Sequence, residues 1–155
     1  MSFAAAFLGP LLLSAAAPSE TDGCPGDLVF FPSGSAQLDA DAQAKLDGMW
    51  QWLGPMVEAG AWLHLWGHAD DVGPAASNLK LSRRRAEAVA AHYRRHGAPP
   101  ERLRVRAFGE AEPLAPLDPG QPAEAARRQN RRVQIWPEMP REVFHRFFPP
   151  GGAIC

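Results

Sequence analysis

Asp70 and Arg85 are the residues whose types and placement first suggest chemistry. Asp70 stands just past an alternating stretch, Ala61–His68, and Arg85 lies in the long helical run that follows. An acid and a base set around one loop most simply form a structural ion pair. His64, His68 and Asp70 could suggest a metal, because positions two or four apart on a strand share a face. His64 and His68 would nevertheless stand about 13 Å apart at roughly 3.3 Å per residue. Zinc needs its nitrogens within about 2.1 Å of one point, so no metal is expected there. Hydrolytic chemistry needs a nucleophile–base pair or a metal, and no G-x-S-x-G, H-E-x-x-H or catalytic Cys–His pattern is present. The chain reads as a non-enzyme without a cofactor. Trp50, Trp52, Trp62 and Trp66 read as core or sheet-face aromatics rather than a sugar platform.

The 155 residues suit one domain with short ends, and 46% hydrophobic with 21% charged residues can supply a core. The net charge of −1 hides a split. Residues 1–71 carry nine acids and one base; residues 72–155 carry eight acids and fifteen bases. A fold that joins the halves can neutralise them. Near-zero net charge and the export-like start oppose nucleic-acid binding, despite an arginine row. MSFAAAFLGPLLLSAAAPSE is an apolar run ending in small residues, so residues 1–17 are expected to be a signal peptide. No positive charge precedes the run, and membrane association is expected only if the segment stays uncleaved. Cys24 and Cys155 could pair in an oxidising compartment, though nothing in the sequence shows that they meet. Thr21, Asp22 and Gly23 precede Cys24 without the Leu-like residue that a lipidation signal wants, so lipid attachment is not expected.

The elements that must position Asp70 and Arg85 follow from periodicity. Leu28–Phe31 is a short apolar run consistent with a buried strand, ended by the turn Pro32-Ser33-Gly34-Ser35. Asp39 is a natural helix N-cap, and Leu46, Met49, Trp50, Leu53 and Val57 recur at helical spacing. Gly54-Pro55 should kink or end that helix. Ala61–His68 predicts a second strand, and a helix from about Pro74 to His96 buries Ala86, Val89, Ala90 and Tyr93. Arg102–Ala107 alternates, Leu103, Val105 and Ala107 against Arg102, Arg104 and Arg106. A proline-rich loop, Pro113 to Pro122, leads to a short helical piece around Ala123–Gln129 and a last strand, Arg132–Trp136. The tail carries no periodic pattern. The order β-α-β-α-β-β predicts an α/β two-layer sandwich with a mixed sheet, both main helices on one face and an arginine-rich outer face.

Gly67, Asp70, Gly73, Asn78, Leu81, Ser82, Arg85, Ala86 and Val89 keep the register G-x-[ST]-D-x-x-G-x-x-x-x-N-x-x-L-S-x-x-R-A-x-x-V. This resembles the signature of OmpA-like peptidoglycan-binding domains. VFFPSGSAQLDADAQAKLD is similar to the family's opening, FGEAEPL to its G-x-G-E-x-x-P turn and RRQNRRVQI to its closing strand. Ala107 or Phe108 replaces the first glycine of that turn. Ala69 stands where the family has Ser or Thr, which removes one hydroxyl. The resemblance gives a domain over 28–137 and a tail over 138–155.

The resemblance implies a periplasmic or outer-membrane-associated protein of a Gram-negative cell envelope. Its ligand would be peptidoglycan, held without covalent chemistry through the diaminopimelate of the stem peptide. Asp70 and Arg85 match the family's ligand-binding Asp and Arg. Diaminopimelate ends in an ammonium and a carboxylate on one carbon. A guanidinium can grip the carboxylate with two parallel hydrogen bonds, while Asp70 accepts from the ammonium. Ser33 and Gly34 could offer backbone amides, and Asn78 braces the loop or touches the ligand. Arg83 and Arg84 read as solvated neighbours; Arg131 and Arg132 could reach sugars or phosphate, or serve the last strand. The alternative is the same fold acting as an interaction module for envelope proteins, with the ligand lost.

Overall fold

A computed structural model describes residues 27–114 and 122–148. The expected signal peptide, Cys24, Cys155 and most of the proline-rich loop lie outside the described residues. Strand β1 (Asp27–Phe30) precedes helix α1 (Ala40–Glu58), strand β2 (Trp62–His68) and helix α2 (Ala75–Arg95). A 3-10 turn at Pro100–Arg102 opens strand β3 (Leu103–Gly109). Helix α3 (Ala123–Asn130), strand β4 (Arg132–Glu138) and a short helix α4 (Arg141–Phe147) follow.

The sheet order is β1-β4-β2-β3. Strands β2 and β3 are parallel, joined by the α2 crossover, and β4 inserts antiparallel to both β1 and β2. The antiparallel pairing expected from two consecutive late strands is present in β4 alone, since β3 pairs only in parallel with β2. β4 passes over β3 and pairs with the two strands from the first half.

Alternation sorts each strand's side chains to two faces. Val29, Leu63, Leu65, Val133 and Ile135 form one buried core with Leu46, Met49, Leu53 and Val57 of α1 and Ala86, Val89, Ala90 and Tyr93 of α2. Both main helices therefore cover the same face, as the pattern predicts. The Asp39 carboxylate accepts from the Ala42 amide at 2.8 Å and caps α1. Pro55 does not end α1, which runs on to Glu58, and the Pro55 carbonyl accepts from the Ala59 amide at 3.0 Å. Burial of Leu53, Met56 and Val57 on either side of the proline outweighs the hydrogen bond it removes. The outer face is more aromatic than the arginine row suggests. Trp66 packs against Trp136 at 5.0 Å and Phe108 at 5.5 Å, and Arg102 and Arg104 lie over the Trp62 ring. The tail forms α4, which short length and scattered aromatics concealed. Among the described residues no helix is long and apolar enough to cross a membrane.

Candidate ligand-binding site

The signature residues converge where β2 passes into α2. Gly67 is there because α2 comes too close for a side chain: a Cβ on it would stand 2.0 Å from the Ser82 carbonyl oxygen. The Ser82 hydroxyl donates to the Leu79 carbonyl at 2.9 Å and accepts from the Gly109 amide at 3.0 Å. It thereby ties α2 to the end of β3. This contact fixes where Arg85, one turn further along the helix, enters the fold.

Arg85 is fully buried. Its Nε donates to the Ser35 carbonyl at 2.9 Å, its Nη1 to the His68 carbonyl at 3.0 Å and its Nη2 to the Pro32 carbonyl at 3.1 Å. One guanidinium thus staples the loop after β1 to the end of β2, and it also lies 5.5 Å from the centre of the Phe31 ring. Burial pushes its pKa down to about 10; the Asp70 charge works against that, and Arg131 and Arg84 add to it. The loop it holds turns at Gly34, whose φ of +66° suits a residue without a Cβ. Ser33, Gly34, Ser35, Ala36 and Gln37 form the wall of an open cleft, and exposed Arg84 completes it. Arg84 is therefore a cleft residue as well as a solvated one.

Asp70 does not bond to Arg85. Its Oδ2 accepts from Arg131 Nη1 at 3.0 Å, and both side chains are buried. Arg131 also donates to Glu124 at 2.8 Å and to the Phe31 carbonyl at 3.2 Å. Burial alone would lower the Arg131 pKa; the Glu124 and Asp70 carboxylates override it and hold the group above its ordinary value. Asn78, buried, donates to the Asp70 carbonyl at 3.1 Å and to Glu110 at 2.6 Å. In this geometry Asn78 braces the turn. Asp71, by contrast, is exposed and pairs with Arg127 at 2.8 Å, which holds its carboxyl below the ordinary range.

Asp70 and Arg85 thus lie at one sheet end with Asn78 and the Ser33–Gly34 turn nearby, but each charge has its own partners. The residue missing from the sequence reading is Arg131 as the partner of Asp70. Its signal was present in RRQNRRVQI, where one of several arginines had to face inward at the start of a strand. The triple carbonyl grip of Arg85 left no signal, because backbone acceptors carry no residue type. His64 and His68 do not converge. His64 bonds Glu138 on the outer face, while His68 is buried and stacks on Phe108 at 5.1 Å.

A mixed sheet with two helices on one face and a loop-walled cleft beside a strand–turn–helix defines a two-layer α/β domain of one recognisable type. The chain belongs to the OmpA family, matched over residues 30–130. It is 39% identical over 93 residues to the peptidoglycan-associated lipoprotein of Rhizobium meliloti, a span of 60% of this chain and 52% of that one. It is 36% identical over 108 residues to the peptidoglycan-associated lipoprotein of Brucella melitensis, covering 70% of this chain and 61% of the relative. The chain thus spans between half and two thirds of the length of these curated relatives. A match of 38% over 115 residues to the photosystem I P700 chlorophyll a apoprotein A2 of Gloeobacter violaceus involves 13% of that protein, so nothing of its photochemistry transfers. Among solved structures, the peptidoglycan-associated lipoprotein from Burkholderia pseudomallei is 26% identical with a TM-score of 0.63, over 72% of this chain and 89% of that one. The C-terminal domain of Helicobacter pylori MotB, 20% identical with a TM-score of 0.62, covers 77% of this chain and 90% of that one and shares the fold.

Proposed function

We propose that this chain is a non-catalytic module that binds peptidoglycan in the cell envelope of a Gram-negative bacterium. Family membership and the names of its relatives support the ligand class. The observation that carries the site is the Arg85 guanidinium behind the Ser33–Gln37 wall. A guanidinium has five N–H donors, and Arg85 commits three to carbonyls. One N–H remains on each Nη, the pair needed to meet a carboxylate end-on. Because Arg85 is fully buried, a ligand carboxylate reaches it when the Pro32–Gln37 loop parts. Asp70 then accepts from the ammonium on the same ligand carbon, sharing its charge with Arg131. The exposed Ser33–Gly34 turn could add backbone amide donors at the rim, and Asn78 holds the Asp70 backbone in place. Diaminopimelate, with both charges on one terminal carbon, fits this arrangement better than lysine, which lacks the carboxylate.

One observation favours the alternative, an interaction module for envelope proteins: both charges are already satisfied internally. Binding to purified sacculi and to stem peptides separates the two. Wild-type protein should bind diaminopimelate-type stem peptide at least tenfold better than lysine-type. Arg85→Lys keeps the charge but loses the fork and should fall by an order of magnitude, as should Asp70→Asn. Equal binding of both peptide types by all three folded proteins overturns the diaminopimelate site. No retention on sacculi overturns peptidoglycan binding and leaves the interaction module.

A further inference from the structure

About 10 Å further along α2 than the cleft, at 1.5 Å per residue, three metal-ligating side chains meet. His92 and His96 are one helical turn apart, so their rings share a face. Both aim Nε2 at Asp47 on α1: the Nε2–Oδ1 distances are 2.8 Å for His92 and 2.9 Å for His96. The three donor atoms lie within 4.8 Å of one another. We infer that Asp47, His92 and His96 form a binding site for a zinc-class divalent ion that bridges α1 and α2.

Donor chemistry and access both fit. Two imidazole nitrogens and a carboxylate are a common zinc set, and a fourth position stays open to water. Tetrahedral bonds of about 2.0–2.2 Å separate donor atoms by roughly 3.4 Å, so the two His–Asp contacts must open by about half an ångström while the two imidazole nitrogens, in a set spread over up to 4.8 Å, draw together. Such movement is available, because the Asp47 side chain is 52% and the His96 side chain 37% exposed. His92 is 4% exposed and supplies the fixed ligand, its ring edge-on to Tyr93. Among the described residues no lysine or arginine pairs with Asp47; its ion-pair partners there are the two histidines.

The groups facing the site also set its limits. Arg95 Nη2 stands 3.4 Å from His92 Nδ1. A metal on Nε2 places the ring hydrogen on Nδ1, where it opposes that contact. Arg95 is exposed and can turn away, but its charge weakens binding. Ligation uses the unprotonated Nε2 of each imidazole.

Zinc titrated into the metal-free full-length chain by calorimetry should bind at one equivalent with micromolar or tighter affinity. A free-ion excess of 100-fold over Kd should raise the Tm by about 10 °C. Cobalt in place of zinc should give the visible absorption of a tetrahedral site. Asp47→Asn and His96→Ala alter exposed side chains, so they should still fold; each should weaken zinc binding at least tenfold. Arg95→Gln should tighten it several-fold, and His145→Ala should leave it unchanged. The site is overturned if zinc neither saturates nor shifts the Tm. It is equally overturned if Asp47→Asn and His96→Ala bind as wild type, or if Arg95→Gln binds more weakly.

Discussion

Asp70 and Arg131 meet at 3.0 Å across 61 residues of sequence, one at the end of β2 and the other at the start of β4. The contact joins the acidic and basic portions of the chain inside the fold. It also places a permanent cation next to the carboxylate proposed to receive a ligand ammonium. Under that proposal Asp70 would divide its charge between Arg131 and the ligand, while Glu124 takes up the second Nη of Arg131.

Removing Arg131 should destabilise the domain heavily. Arg131→Met leaves the buried Asp70 carboxylate without its cation, a loss of about 3–5 kcal/mol for a broken buried pair. Asp70→Asn should cost less, because the neutral amide needs no counter-charge and Glu124 still holds Arg131. Urea midpoints of the two variants decide the order, and a larger loss in Asp70→Asn would contradict this account.

Arg85→Ala should damage the fold as well as any binding. It strips the donor from the Pro32, Ser35 and His68 carbonyls together. At about 1–3 kcal/mol for each buried acceptor left unmet, with water recovering part, a net loss of about 2–4 kcal/mol is expected. Arg85→Lys should retain more stability, since an ammonium can still meet one or two of the carbonyls. Chemical denaturation of both variants provides the comparison.

The frame was legible because its signals are periodic. Leu46 to Val57 and Ala86 to Tyr93 declared two buried helix faces, and the alternation of Arg102–Ala107 declared a strand. Pro55 did not end the helix, because the buried face continued past it. Strand order was harder, since nothing local in RVQIW says that it will lie between the first two strands. At the site, residue types named Asp70, Arg85 and Asn78, but their partners depended on where a distant strand and a loop's carbonyls came to rest. The charge split did hint at the answer. Asp70 with Arg131 and Asp71 with Arg127 both pair an acid before Val72 with a base after it.

His68 should make stability depend on pH. Burial first, and the Arg132 charge second, lower its pKa from the ordinary 6.5 to about 4. Between those values the unfolded chain takes up a proton that the folded chain refuses. The contribution is therefore complete above about pH 6.5, is lost as pH falls toward 4, and changes little below. A shift of this size corresponds to roughly 3 kcal/mol. His68→Phe keeps the stacking on Phe108 and its backbone carbonyl for Arg85. Urea midpoints between pH 7 and pH 4 should drop more steeply for wild type than for His68→Phe. Parallel curves would show that the buried imidazole does not titrate as described.

Gly67→Ala tests whether the close approach of α2 to β2 governs the site. The added methyl would sit 2.0 Å from the Ser82 carbonyl oxygen and 3.3 Å from the Ala86 side chain. The obstruction is helix backbone, which a rotamer change cannot relieve, so α2 must move outward by more than an ångström to restore contact distance. Overpacking typically costs about 1–3 kcal/mol, and a backbone clash belongs at or above the top of that range. Displacement of α2 also strains the Ser82 link to Gly109 and withdraws Arg85 from its three carbonyls, loosening the Ser33–Gln37 wall. Ser82→Ala removes the same link without moving the helix, and should cost only about 1–2 kcal/mol for the unmet Gly109 amide. Hydrogen exchange at the amides of residues 33–37 separates the two effects. Gly67→Ala should speed exchange there well beyond any change in Ser82→Ala. Equal protection in both variants would mean that Arg85 keeps its grip on the loop independently of how closely α2 packs.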